Sequence, residues 1–284
     1  MPTRGAMMVR HTHRRLPRVT SRFFAALFGI AIASQAQGVK SDDAKPEAVP
    51  NRPTVSTTAS LSAPGWFEAE FGGLYARDRH PDADPIRRVS LPYSLKLAFS
   101  ESLGVRVDGE ALVRQTANDD TRDTGFGDTS FIVKRRFAID SDSAFGLEAG
   151  VTVPTARRGL GVGSGKPDYA INAIYSADFG DWHTDINLLN TRIGAIDRDA
   201  GEGHWQTLGA SSLSRRLDDR WGIVGELSGT HRRGASATAQ ALAAFTYAIQ
   251  RSTVVDFGVA HALNRATPTW QVFGGLTMVI DRVW

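Results

Sequence analysis

The 284-residue sequence contains no cysteine. Disulfide staples and thiolate metal sites are excluded, and so is a lipid-anchored lipoprotein, which needs a thiol to acylate. The sequence also lacks an apolar run of the roughly 20 residues that a membrane-crossing helix needs. The run from Phe23 to Ala33, FFAALFGIAIA, has only 11. Beyond residue 65 no segment shows a convincing helical stripe. A genuine basic surplus is missing as well. The chain carries 33 basic and 30 acidic residues, but Arg4, Arg10, Arg14, Arg15, Arg18 and Arg22 precede the first apolar run with no acid among them. A basic start, a short apolar segment and the small residues Ser34 and Ala36 predict a secretory signal peptide over residues 1–36. The chain beyond Ala36 has three more acids than bases. A nucleic-acid partner therefore loses its electrostatic support.

Residues 37–65 are rich in Pro, Ser, Thr and Ala and hold no aromatic residue. They read as a flexible periplasmic lead segment. From Trp66 to Trp284 apolar and polar residues alternate with the period of a strand. In RRVSLPYSLKLAFS, for example, Val89, Leu91, Tyr93, Leu95, Leu97 and Phe99 share one face, and Arg88, Ser90, Ser94 and Lys96 the other. Tight connections near Ser100–Ser102, Asp140–Asp142, Gly180–Asp181, Asp218–Asp219 and Gln250–Ser252 alternate with six longer polar ones. This rhythm predicts an all-β fold: an antiparallel up-and-down transmembrane β-barrel of about 12 strands over residues 66–284, in the outer membrane, with short periplasmic turns and longer extracellular loops.

Aromatic residues gather at strand ends in two sets. Phe99, Phe137, Phe179, Trp182, Trp221 and Trp284 lie by the tight turns, and Tyr75, Phe126, Tyr169, Trp205 and Trp270 by the long loops. Two such girdles match the two interfaces of a bilayer. The polar face carries charge within the strands: Lys96, Arg106, Asp108, Glu110, Lys134 and Arg136, then Glu148, Asp185, Glu226 and Asp256. With Asp128, these are the pore-lining candidates, because charges inside a membrane must face the lumen and find partners or water. They fit either a structural salt-bridge network or a solute path. On the apolar face Arg135, Arg215 and Arg282 sit close to the turns or the terminus, where an arginine can snorkel.

The glycine-rich stretch VPTARRGLGVGSGKPDY, Val153–Tyr169, fails as a phosphate loop. Pro167 stands where Ser or Thr should follow the lysine, and Leu160 stands where the first glycine should be. The stretch instead resembles the V-P-T-G…G-L-G-x-G-x…D-[YF] strand–loop–strand of a family of outer-membrane barrels labelled as transporters or as proteins of the MetA pathway of phenol degradation. Ala156 replaces the usual glycine. GFGDTSFIVKRRF, Gly125–Phe137, resembles a second motif of that family. The resemblance implies passage of small solutes, aromatic or hydrophobic ones among them. The terminal Trp284 resembles the signal by which such barrels meet the outer-membrane assembly machinery, and Arg282 departs from it.

Arg157, Arg158 and Lys166 fall in the long-rim loop, where they are expected to contact the phosphates of lipopolysaccharide. An outer-membrane hydrolase would need a serine–histidine pair. His261 and Ser211 are both on the outward face, and no local spacing joins the histidines into a triad. No catalytic residue, cofactor or metal cluster is expected. A closed structural barrel remains the alternative to a channel.

Overall fold

The computed structural model describes residues 45–77, 87–116, 122–156, 165–194, 203–265, 267 and 269–284. The expected signal peptide lies outside them. The strands are β1 (Trp66–Arg77), β2 (Arg87–Ser100), β3 (Leu103–Thr116), β4 (Arg122–Gly125), β5 (Thr129–Ala138), β6 (Ser143–Val153) and β7 (Asp168–Phe179). They continue as β8 (Trp182–Ile193), β9 (His204–Arg216), β10 (Trp221–Arg232), β11 (Thr238–Gln250), β12 (Thr253–Ala262) and β13 (Trp270–Arg282). Apart from β4 and β5, sequential neighbours pair antiparallel, and β1 closes the ring on β13 from Trp66↔Arg282 to Arg77↔Trp270. The result is a closed barrel of twelve staves, because β4 and β5 both pair with β3 and form one broken stave. The break is local. The Gly127 amide bonds the Glu110 carbonyl at 2.9 Å, and a Cβ on Gly127 would fall 2.9 Å from the Glu110 side chain. A residue without a side chain lets the backbone come that close.

The tight turns fall where the sequence places them, and their caps are visible. Asp140 accepts the Ser143 hydroxyl at 2.8 Å and the Asp142 amide at 2.9 Å. The Ser143 bond, then the Asp142 amide, holds its carboxyl below the usual carboxylate range. Asp218 is lowered in the same way, first by the Trp221 amide and then by that of Arg220. These short polar caps suit a loop of two to four residues, which must satisfy its amides from its own side chains.

The outer face is the apolar one. Phe71, Phe131, Ile171, Leu188, Leu227 and Phe257 are exposed, whereas Glu68, Glu70, Lys96 and Glu148 are buried inside. A water-soluble barrel has the opposite arrangement. Both aromatic sets lie at the ends of this apolar band, and at the tight-turn rim Phe99 stacks on Trp284 with ring centroids 6.0 Å apart.

The lead segment differs from expectation. Residues 45–65 are packed inside the barrel, and Ser56 and Ala59 are completely buried. A segment poor in bulky side chains cannot build a core of its own, but it fits a narrow lumen. Its unpaired backbone amides find acceptors on the inward-facing side chains of the wall. Glycines make the room: a Cβ on Gly146 of β6 would fall 3.1 Å from the Cα of Ala59 and 3.3 Å from Ile174. Gly146→Val is therefore expected to unseat the Ala59 region while leaving the strand intact. Folded variant barrels should be cut by protease within residues 45–65, and wild-type barrels should resist.

Candidate functional site

The lumen segment circles the inner wall. It enters at the tight-turn rim, where the Ala48 amide bonds the Arg251 carbonyl at 2.9 Å and Lys45 bonds the Ile280 carbonyl at 2.7 Å. Beside β1, Glu68 accepts the Val49 amide at 3.0 Å and Glu70 accepts the Asn51 amide at 2.8 Å. Further round, Glu226 of β10 accepts the Val55 amide at 3.1 Å and both the amide and hydroxyl of Ser56 at 2.8 Å. Asn187 of β8 accepts the Thr57 amide at 3.1 Å, and Ser176 of β7 accepts the Ala59 amide at 2.7 Å. The circle ends where the Gly65 amide bonds the Ala98 carbonyl of β2 at 2.9 Å. Inward side chains of four staves thus replace the ladder partners that an isolated extended segment lacks.

Arg52 is the centre of this plug. Its guanidinium makes two 3.1 Å bonds to the Asp256 carboxylate of β12. It lies flat over Gly72 of β1 and Gly275 of β13, where any Cβ would collide with it. Two glycines paired across the β1–β13 seam form its seat. A cavity of about 610 Å³ opens between the segment and the β8–β12 wall, and another of about 220 Å³ lies against β1–β3. Arg52 and Thr54 line both, so they form the partition between them.

Buried charges surround the partition. Lys96 pairs with Glu68 and Glu70 and donates to the Val49 carbonyl. Glu148 lies 3.1 Å from both Arg106 and Lys134 and accepts Asn172 at 3.0 Å. Arg106 also bonds Asp108 at 2.8 Å, and Lys134 donates to the Thr58 carbonyl at 2.6 Å. Asp185 holds Ser176 at 2.5 Å and His183 at 3.1 Å. Glu110 bonds Arg88 further toward the long loops. Of the expected pore-lining residues, Lys96, Arg106, Asp108, Lys134 and Glu148 stand in two neighbouring clusters, and Asp185, Glu226 and Asp256 serve the plug. Arg136, on the inward side of β5, has no side-chain bond in this network.

A family described as "Putative MetA-pathway of phenol degradation" matches residues 50–279. The chain belongs to this family. The match spans most of the plug as well as the barrel. Among solved structures, an outer membrane channel from Pseudomonas putida F1 is similar at 12% identity and a TM-score of 0.61, over 78% of this chain and 98% of that one. The NanC porin is similar at 7% identity and a TM-score of 0.50, over 76% and 99%. At such identities the likeness is one of fold. No curated protein matches the sequence.

The residues that carry the family resemblance now have positions. Lys134 is in the lumen, as strand parity predicts. Asp128 sits in the break between β4 and β5 and accepts the Ala156 amide at 2.8 Å. It ties the β4–β5 break to the loop after β6. Arg157 and Arg158 lie outside the described residues, and Lys166 is exposed before β7. Trp284 is exposed at the turn rim, with its carbonyl oxygen bonded by Arg282 at 2.6 Å. His261 packs edge-on against Trp270 on the outer face, and β10 and β11 separate it from Ser211.

One set of inward residues escapes the sequence reading. Val224, Leu242, Ala244, Ala260 and Phe273 form a buried apolar cluster on β10–β13, with Leu74 of β1 against it. On β1 and β13 the next inward positions toward the long loops after Gly72 and Gly275 are Leu74 and Phe273. The apolar patch therefore begins at the seat of Arg52. Its signal was the run ALAAF in β11, which is apolar on both faces, where a barrel strand with a polar lumen should alternate.

Proposed function

We propose that this chain is an outer-membrane channel for small solutes of apolar or aromatic character, and that the lumen segment sets its opening. The observation that carries the reading is the juxtaposition at Arg52: an apolar inner patch on one side, a charged wall on the other, and a partition held by hydrogen bonds and one ion pair. An apolar patch inside the barrel gives a desolvated solute a surface to follow, and the polar contacts of the plug exchange for water when it moves. The family description, which names phenol degradation, supports the same solute class. The test is uptake into liposomes. A small aromatic should enter faster than a sugar of similar size, and Phe273→Asp should lower the aromatic rate about tenfold while the sugar rate holds, because it places a charge in the apolar patch.

A closed structural barrel is the second reading, and the plug itself favours it. If neither the intact chain nor one lacking the plug admits either solute, that second reading stands.

A further inference from the structure

A cavity of about 1070 Å³ lies against the wall of β8–β13, lined mostly by outward-facing residues. Strand register explains it. One row of outward residues crosses the strands in the hydrogen-bonding direction: Thr184, Leu213, Gly225, Ala243, Val259 and Val272. In its middle, Gly225 and Ala243 leave the floor at the backbone, and a Cβ on Gly225 would meet only the Leu242 carbonyl, at 3.9 Å. The flanks are tall. Ile223, Phe245 and Phe257 stand on one side, with Phe245 stacked on Phe257 at 5.4 Å, and Leu227 stands on the other. The row starts three residues into β8 at the tight-turn rim and ends three residues into β13 at the long-loop rim, so the trench climbs across the wall.

At the lower end stands Arg215. It pairs in register with Trp182 and Ile223, both part of the trench lining. Its guanidinium carbon lies 5.2 Å from the centroid of the Trp182 ring. Among the described residues no carboxylate pairs with it. A bilayer requires an apolar wall but not a trench; snorkelling alone accounts for an arginine near the turns, and here that cation stands at the trench mouth. A cation at the interface beside an apolar channel complements a phosphate with an acyl chain attached. The four interstrand steps from β8 to β12 run about 19 Å along the wall at about 4.8 Å each, a path longer than the roughly 15 Å half-thickness of the hydrocarbon core.

We propose that this trench binds one acidic phospholipid from the leaflet at the tight-turn rim, with its phosphate on Arg215 and an acyl chain over Gly225 and Ala243. The occupant is a phospholipid rather than lipopolysaccharide because the cation is at the turn rim. Arg135 over Phe137, at 5.8 Å, repeats the rim pair away from this trench and serves as a control.

The test is native mass spectrometry of full-length barrels released from vesicles of phosphatidylethanolamine and phosphatidylglycerol, with lipid A present in a parallel set. The wild type should retain one phosphatidylglycerol. Gly225→Leu and Ala243→Phe, each filling the floor, should abolish retention. Arg215→Gln should lower the preference for phosphatidylglycerol over phosphatidylethanolamine about fivefold, and Arg135→Gln should leave it unchanged. The heat-dependent gel shift of a folded barrel qualifies each variant, and both floor substitutions add apolar bulk to a lipid-facing wall, where folding tolerates it. Equal retention in wild type and floor variants, a preference indifferent to Arg215, retention of lipid A instead, or a second copy of the chain in place of lipid would each overturn the proposal.

Discussion

Deleting residues 46–62 is expected to raise single-channel conductance in planar bilayers by about tenfold, since a twelve-stave lumen without its plug is limited only by inward side chains. The barrel should survive the deletion, because all twelve staves close through their own ladders and residues 45–65 contribute only one isolated bridge, Pro64↔Ala98. Glu226 would lose three donors and Asp256 would lose Arg52, but both would then face water in a wider lumen, so the penalty of a buried unpaired charge is largely relieved. Arg52→Ala isolates the partition. It removes the bidentate pair while leaving the remaining amide contacts of the segment, and should give conductance between wild type and deletion, with flicker between two levels. The comparison is informative either way: conductance unchanged by the deletion would mean that wall side chains alone close the lumen.

The fold was legible because each signal was local. Period-two alternation, Asp–Asp and Gly–Asp turns, and aromatic residues at strand ends each involve neighbours in sequence, and each names a strand, a turn or an interface. Inward and outward faces also came from the charges, since Lys96 and Glu148 need partners that lipid does not offer. The plug was not legible, for a physical reason. Residues 45–65 have the composition of a disordered segment, and what orders them is the set of acceptors on Glu68, Glu70, Glu226, Asn187 and Ser176. These lie up to 171 residues away in sequence and meet only when the barrel closes. The break at Gly125–Gly127 that holds Asp128 was not legible either, since alternation gives no sign of one stave split into β4 and β5. The charges were correctly sent inward, but their division into ion pairs and plug anchors depends on register, which alternation does not specify.

Glu148→Gln should be among the most destabilising single changes in the barrel, by about 3 kcal/mol or more. The carboxylate is 5% exposed and stands between Arg106 and Lys134, so it holds two cations together. Without its charge Arg106 keeps Asp108, but Lys134, itself 6% exposed, keeps only the Thr58 carbonyl. A buried ammonium with a carbonyl partner alone is poorly compensated, and removing one member of a buried pair costs far more than the pair contributes. Lys134→Met in the Glu148→Gln background removes the stranded charge and should recover most of the loss, measured as the urea midpoint in lipid vesicles. Asn172 donates to Glu148 at 3.0 Å and can donate equally to a glutamine oxygen, so the difference reports charge rather than a missing hydrogen bond. The two readings of these residues then separate. If the charges form a structural network, Glu148→Gln lowers the urea midpoint and Lys134→Met restores it. If they line a wet solute path, the ammonium stays hydrated, the midpoint hardly moves, and the variant shows itself instead in the ion selectivity of the channel.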